Sequence, residues 1–565
     1  MDPQVTIEGK NFGSPQHGQR LPTLRTVVVT GLLYLVIPVI FAVTSDRLIH
    51  AKGPDWLAPD YENPYTDLFN SLLILDGEPP EHIDHPGTTT HLFGALVLRS
   101  TSIKSKRDLI NSAVTQPEPH LRKLQIALLA FTVLSFWIFP WITGLVLRNY
   151  LIGILIQAPS LFFQSVFSYA LFFGSDFMVM PFTIISVCLC CLMIAPALAE
   201  KQPDILFGTG FGRTERVFLR VVRFPFIPAS AGLICALGIA AKLTFFPLIV
   251  ISFFCCRSLR DRITFSISFV LSLAIVLIPI YSRLAKLSTW IFSLGIHSGI
   301  YGHGSLGLPG GAQYLDSIQS LLQAEPLVVV IPLLAAIGVT MLCLTSLHRK
   351  TDSPRLSWKT ALPLVALQII SFVAIAKHPS PHYLIPLCLS TGLSLVLLFL
   401  TLDSSNASTL RNSVAWVMLG GCLCLGLYGF VMETPRTYQA LWEHKADLLR
   451  LYKHARQLTE NDTVVYYYSS SSPEFAISFG NTFSGGVFGP ILSARYPRAL
   501  FFNPFLERFT TYNQEIDVES VLQHHDHLYF LGTPANLHQV DGLDPNTFET
   551  IDQAGNFCLQ KWTRR

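Results

Sequence analysis

Eleven apolar runs, most of them near the length of a bilayer crossing, constrain this chain more than any other feature. A helix needs about 20 apolar residues to traverse the hydrocarbon core. The runs fall at 26–44, 124–147, 151–173, 177–198, 226–241, 243–256, 263–281, 326–347, 359–376, 383–402 and 413–431. Runs 226–241 and 243–256 are short, with one kinked hairpin as the alternative to two spans. Composition agrees with a membrane chain: half of the 565 residues are hydrophobic and only 14% are charged. That balance suits neither a soluble domain nor a disordered segment. A net charge of +3 points to no nucleic-acid partner. The first run follows a polar tail, 1–25, and has no small-residue cleavage site behind it, so it is expected to be a retained span. Ten of the eleven cysteines lie in apolar runs, where a thiol packs as a small hydrophobe. No zinc-type CxxC spacing and no disulfide framework appears.

One further apolar stretch, His91 to Leu98, is too short to span and is expected to be an interfacial or juxtamembrane helix. Leaving it out of the count puts loops 148–150, 199–225, 257–262, 348–358 and 403–412 on one side. Those loops hold Arg148, Lys201, Arg213, Arg216, Arg220, Arg223, Arg257, Arg260, Arg262, Arg349, Lys350, Arg355 and Arg411, so that side is the cytoplasm by the positive-inside rule. Lys104, Lys106 and Arg107 oppose this assignment. The N-terminal tail 1–25 is then cytoplasmic, while the first loop, 45–122, and the tail 432–565 lie outside. The tail is polar, with a helical stretch at 436–459 and strands at Thr463–Tyr468 and Leu528–Leu531. This predicts a small α/β domain. The Ser469–Ser472 run reads as a polar loop, because no GxGxxG or GK[ST] pattern accompanies it. No internal repeat is evident, which weighs against a transporter built from inverted repeats.

The first loop is the natural place for chemistry. It carries Asp46, Asp55, Asp60, Glu62, Asp67, Asp76, Glu78, Glu81 and Asp84 against Arg47 and Lys52 before residue 85. Any one of these acids is as well explained by solvation. The grouping Asp60-Tyr-Glu62-Asn-Pro64-Tyr65, set before the amphipathic run Leu68 to Leu75, suits a carboxylate general base at the membrane surface. Asp84-His85-Pro86-Gly87 then leads into the 91–98 helix. Asp176, at the outer end of its span, is either an interfacial anchor or a second acid facing that loop. Arg122, Lys242, Lys377, His378 and His382 recur on the same face. Lysines there usually snorkel, yet several beside a carboxylate loop suit a lipid phosphate. The glycine-rich segment His297-Ser-Gly-Ile-Tyr301-Gly-His303-Gly reads as a substrate lid or a flexible turn. No spacing typical of a closed metal site is present.

At these residues the chain resembles the GT-C superfamily of membrane glycosyltransferases, in the bacterial branches of the protein O-mannosyltransferase and lipid A aminoarabinose transferase type. The similarity is carried by Glu62-Asn-Pro-Tyr-Thr-Asp-Leu-Phe-Asn70 with His82-Ile-Asp-His85-Pro-Gly-Thr88, by Arg122, by Ser175-Asp176, and by Lys377 to Pro386, which includes His382 and Tyr383. It spans roughly 26–390. The resemblance implies a GT-C-like membrane domain, 26–431, of about eleven helices, with the small extracytoplasmic α/β domain 432–565 behind it. It also implies a place in a bacterial inner membrane. The implied reaction moves a sugar from a polyprenyl-phosphate carrier to a hydroxyl of a glycan, lipid or protein acceptor. Glu62, then Asp60, ranks as the base, with Asp176 as the second acid. His85, Arg122, Lys242, His297, Tyr301, Lys377, His378, His382 and Tyr383 are the expected substrate and phosphate contacts. Pro64 stands where the family often has a second acid, so transfer without a cofactor is expected, with a divalent metal as the alternative. Two other readings compete: a transporter or lipid-carrier flippase, and a non-catalytic membrane scaffold. The first requires charged or helix-breaking residues at mid-span, and the second makes Asp60 and Glu62 dispensable.

Overall fold

The computed structural model describes residues 24–57, 64–84, 86–147, 149–199, 226–299, 304–307, 309–348, 358–403, 409–458, 462–467, 472–503, 508–533 and 547–564. Asp60, Glu62, His85, Tyr301 and the Ser469–Ser471 part of the serine run lie outside the described residues.

Every apolar run becomes helical. They form α1 (Leu24–Lys52), α5 (Pro117–Val146), α6 to α8 (Tyr150–Gln157, Pro159–Phe162, Gln164–Tyr169) and α9 (Ser175–Ala199). Next come α10 (Phe226–Ala241), α11 (Phe246–Cys255) and α12 (Leu259–Val276), then α13 (Leu284–Ile296) and α14 (Gly311–Ala324), which form in the stretch between runs 263–281 and 326–347, and α15 (Leu327–His348). The series ends with α16 (Trp358–Ile375), α17 (Ile385–Asp403) and α18 (Thr409–Leu458). Among the described residues, five helices are long and apolar enough to cross a membrane. Two bent pairs, α12–α13 at 74° and α14–α15 at 88°, pass the same test together. The other four apolar segments are shorter. The chain is therefore a polytopic helical membrane protein. α1 shows Val28, Val29, Leu32 and Leu33 on its outside, as a lipid-facing helix must. The windows Ser175–Ile194 and Pro381–Leu400 are wholly enclosed by other helices.

Two runs differ from the simple spans expected. Run 151–173 is not one helix, because Pro159 and the extended Phe163 interrupt it. Run 413–431 and the stretch 436–459 are one helix of 50 residues that passes through Pro435. At 1.5 Å per residue α18 is about 75 Å long, far more than a bilayer needs, so it carries the chain from the bundle into the C-terminal domain.

The first loop folds into α2 (Pro64–Asp76), α3 (Thr88–Ser100) and α4 (Lys106–Thr115). The 91–98 stretch is the body of α3. At 13 residues it remains too short to span, but it is not simply interfacial, because Thr88, Thr89, Thr90 and His91 are buried in protein. The loop's cations are held locally. Lys106 Nζ lies 2.7 Å from Asp76 Oδ1, and Lys104 Nζ donates to Ser112 Oγ at 3.1 Å.

The C-terminal domain adds β1 (Val464–Tyr466), α19 (Pro473–Thr482), α20 (Gly489–Arg495), β2 (Leu500–Asn503), β3 (Arg508–Thr510) and β4 (Glu515–Ile516). It ends with α21 (Val518–His524), β5 (His527–Gly532), β6 (Phe548–Ala554) and β7 (Phe557–Thr563). The seven strands form one mixed sheet in the order β4-β3-β2-β1-β5-β7-β6. β1 runs parallel to β2 and β5, with Val465 opposite Leu500 and Phe530. Alternation sorts the side chains by face. Val465, Phe502, Phe509, Leu528 and Phe530 form one core, while Val464, Tyr466, Phe501, Tyr529 and Leu531 join the core shared with the helices.

The domain packs directly on the first loop. Asn70 Nδ2 donates to the Phe483 carbonyl at 3.2 Å, and the rings of Phe69 and Phe488 lie 5.2 Å apart. A Cβ on Gly480 would come within 2.8 Å of Tyr65, so only glycine allows α19 this close to α2. The first loop and the C-terminal domain therefore share one face of the bundle.

Candidate functional site

The short helix α3 organises the site through three successive residues. Gly87 precedes it at φ 60°, a conformation glycine adopts without strain, and a Cβ there would lie 2.8 Å from the His91 ring. Thr89 Oγ1 donates to the Leu237 carbonyl of α10 at 2.8 Å. Thr90 Oγ1 lies 3.2 Å from Ser175 Oγ of α9. His91 Nε2 lies 2.9 Å from Asp67 Oδ1 of α2. α3 thus fixes both helix ends that carry Asp176 and Lys242.

Asp176 lies in the first turn of α9, where the helix dipole favours a carboxylate. Gly174 before it faces Asp67 Oδ2, and a Cβ there would lie 3.3 Å away. Lys242 stands just past α10, in extended backbone at φ −157° and ψ 138°. The chain breaks there because Gly238 leaves room for the Phe245 ring, which a Cβ would meet at 2.5 Å, and because Pro247 sits at the start of α11. The break points the lysine into protein. Its Nζ, fully buried, lies 2.6 Å from Asp176 Oδ2 and 5.2 Å from the Tyr383 ring centre. Tyr383 packs on His382 at 4.1 Å between rings, and His382 Nδ1 lies 3.2 Å from the Tyr169 hydroxyl. Asp176, Lys242, His382 and Tyr383 are thus in one cluster, with Tyr169 added.

An apolar groove of about 340 Å³ opens beside it. Leu243, Thr244, Trp290, Ile370, His378 and Tyr383 are among its walls. His378 is half-buried there. Burial, then the neighbouring Lys377 charge, holds its pKa below the ordinary histidine value.

The other expected contacts are engaged elsewhere. Lys377 Nζ donates to the Leu294 and Gly295 carbonyls at 2.8 Å each, closing the end of α13, and burial lowers its pKa. His297 Nδ1 donates to the Gly304 carbonyl at 2.8 Å, and its backbone bridges to Leu306. Arg122 donates to Asp46 Oδ1 at 3.0 Å and to Gln125 Oε1 at 3.2 Å.

A second cluster lies at the base of the first loop, and sequence reasoning missed it. Glu118 Oε2 accepts the Asp55 backbone N–H at 3.1 Å, and Glu118 Oε1 accepts the Tyr65 hydroxyl. The buried Lys52 pairs with Asp55 and donates to the Leu171 carbonyl at 3.0 Å, with the Phe172 ring centre 4.3 Å from its Nζ. Gln125 donates to the same carbonyl. The segment leading to Asp176 is therefore pinned to the residues that bracket positions 58–63. Only the mixed polar and aromatic composition of the loop hinted at this. Tyr169 and His91 carried no sequence signal beyond ordinary core positions. Among the described residues, no group of three or more His, Cys, Asp or Glu is placed to hold a metal ion.

Two solved structures are similar to this chain. ArnT from Cupriavidus metallidurans in the apo state has a TM-score of 0.44 and 12% identity, covering 94% of this chain and 98% of that one. The same protein bound to undecaprenyl phosphate has a TM-score of 0.41 and 11% identity, covering 95% and 98%. No family model matches the sequence, and no curated protein matches it.

Proposed function

We propose that this chain is a GT-C-type membrane glycosyltransferase that moves a sugar from a polyprenyl-phosphate carrier to an acceptor hydroxyl on the outer face of a bacterial inner membrane. The observation that carries this reading is the buried Lys242–Asp176 pair, which lies behind Tyr383, a wall residue of an apolar groove between helices. A cation beside an apolar trough suits a ligand with an anionic head and a hydrocarbon tail. A transporter would instead need an aqueous path lined by charges at mid-span.

In this reading the groove takes the first isoprene units and Lys242 faces the phosphate. The acceptor oxygen attacks the anomeric carbon as its proton passes to a carboxylate. Glu62 or Asp60 is the base. Asp176 holds Lys242 in place. The bond from the anomeric carbon to the phosphate oxygen breaks, and the lipid phosphate leaves with its added negative charge beside the ammonium. Transfer is expected to proceed without a metal, so chelation should leave the rate unchanged.

The test is sugar transfer by the purified full chain from synthetic polyprenyl-phosphate donors. Transfer that falls at least about 100-fold in Lys242→Ala and in Glu62→Gln supports the assignment. Turnover unchanged in Lys242→Ala, or absent with every donor, sinks it.

A further inference from the structure

A cavity of about 590 Å³ opens in the C-terminal domain, on the sheet face that meets the helices. Its size is that of a small-molecule site, about 300–1,000 Å³. Tyr466, Glu474, Tyr496 and Asp462 line it, as do the exposed Arg456 and Arg498, and Asp462 Oδ1 lies 2.6 Å from His527 Nε2. The Tyr452 hydroxyl donates its one proton to the Glu474 carboxylate, at 3.1 and 3.2 Å from the two oxygens. Burial, then the Glu474 charge, raises the pKa of Tyr466 and Tyr496, so both keep their hydroxyl protons as donors.

The cavity adjoins the first loop. The Tyr496 hydroxyl donates to the Thr115 carbonyl at 3.5 Å, and the Tyr452 ring lies 5.0 Å from Trp56. Glu474 is six residues along α19 from Gly480, the residue against Tyr65, which is about 9 Å of helix.

Tyrosine rings offer flat apolar faces with polar tips, carboxylates accept from hydroxyls, and guanidinium groups pair with carboxylate or phosphate. We propose that this cavity binds a saccharide bearing an anionic group. The tyrosines take its faces, Glu474 and Asp462 its hydroxyls, and Arg456 with Arg498 its charge. That the saccharide is the acceptor rests on the transferase reading; its binding does not.

The test is calorimetric titration of the purified full chain with trigalacturonic acid, maltotriose and inorganic phosphate. Trigalacturonic acid is expected to bind at least about tenfold more tightly than either other probe. The Arg456→Ala/Arg498→Ala variant should lose at least about tenfold of that affinity. Phosphate binding as tightly as the trisaccharide, maltotriose binding equally, an unchanged variant, or no binding by any probe each overturns the proposal. Trisaccharide binding in a protein that transfers no sugar from any donor leaves the site standing and removes the transferase reading.

Discussion

Lys242 Nζ and Asp176 Oδ2 lie 2.6 Å apart, and the lysine is fully buried. Removing one partner leaves the other charge buried and uncompensated, at about 3–5 kcal/mol. Lys242→Ala should therefore lower the unfolding temperature in detergent. The Asp176→Asn/Lys242→Met double variant should recover most of that loss while staying inactive in transfer. A double variant as unstable as the single one would show that the buried charges are not the cause.

Gly87 tests the hinge into α3. An alanine there meets both a left-handed backbone and the His91 ring. Gly87→Ala should destabilise by about 1–3 kcal/mol, measured by thermal unfolding. An unchanged melting temperature would show that α3 can shift without cost.

Glu118 accepts from the backbone of Asp55 and the hydroxyl of Tyr65, on either side of positions 58–63. Tyr65→Phe removes one donor from a carboxylate inside protein, a loss of about 1–3 kcal/mol. Glu118→Ala removes both contacts and should reduce transfer further than Tyr65→Phe does. Equal transfer in the two variants would mean that the Asp55 contact contributes nothing to activity.

Filling the groove separates tail from head recognition. Ser371→Phe, on the groove wall, should raise the donor KM by about tenfold while leaving kcat near its original value. A donor with a two-isoprene tail should respond much less. Equal effects on long and short donors would place the tail elsewhere.

Asp552 joins α18 to the sheet, accepting from Arg450 at 2.6 Å and from His454 at 3.1 Å. Burial works to raise its pKa, but the hydrogen bonds from His454 and Arg450 outweigh it and hold the carboxyl below the usual aspartate value. A carboxyl lowered on folding stabilises fully above its unfolded pKa and loses that contribution as pH falls through the folded value. The C-terminal domain should therefore loosen from α18 as pH falls below the ordinary aspartate range. Asp552→Asn should weaken it at neutral pH and flatten this acid transition, read by tryptophan fluorescence. An unaltered acid transition would exclude Asp552 as its source.

Much of the architecture was legible because it is written in local pattern. The apolar runs became helices, and the strands expected at Thr463–Tyr468 and Leu528–Leu531 became the neighbouring β1 and β5. Other strands escaped notice because they are short, down to two residues in β4, and take their stability from pairing. Run 413–431 and the stretch 436–459 were expected as separate elements, yet the helix continues through Pro435, because a proline removes only one helical hydrogen bond and α18 has tertiary contacts beyond it.

By itself the sequence determined the membrane character, the helical runs, the α/β tail and the set of charged residues from which a site could be drawn. Tertiary structure alone decided which of them meet. Asp176 and Lys242 are 66 residues apart and became partners because Thr89 and Thr90 of α3 tie down α10 and α9. Lys377 and Arg122, equally plausible as a sequence pattern, were taken up by the α13 carbonyls and by Asp46. Local periodicity fixes which face of a helix is apolar. It holds no information about which distant carbonyl or carboxylate that face will meet, because such contacts depend on the packing of helices far apart in the chain.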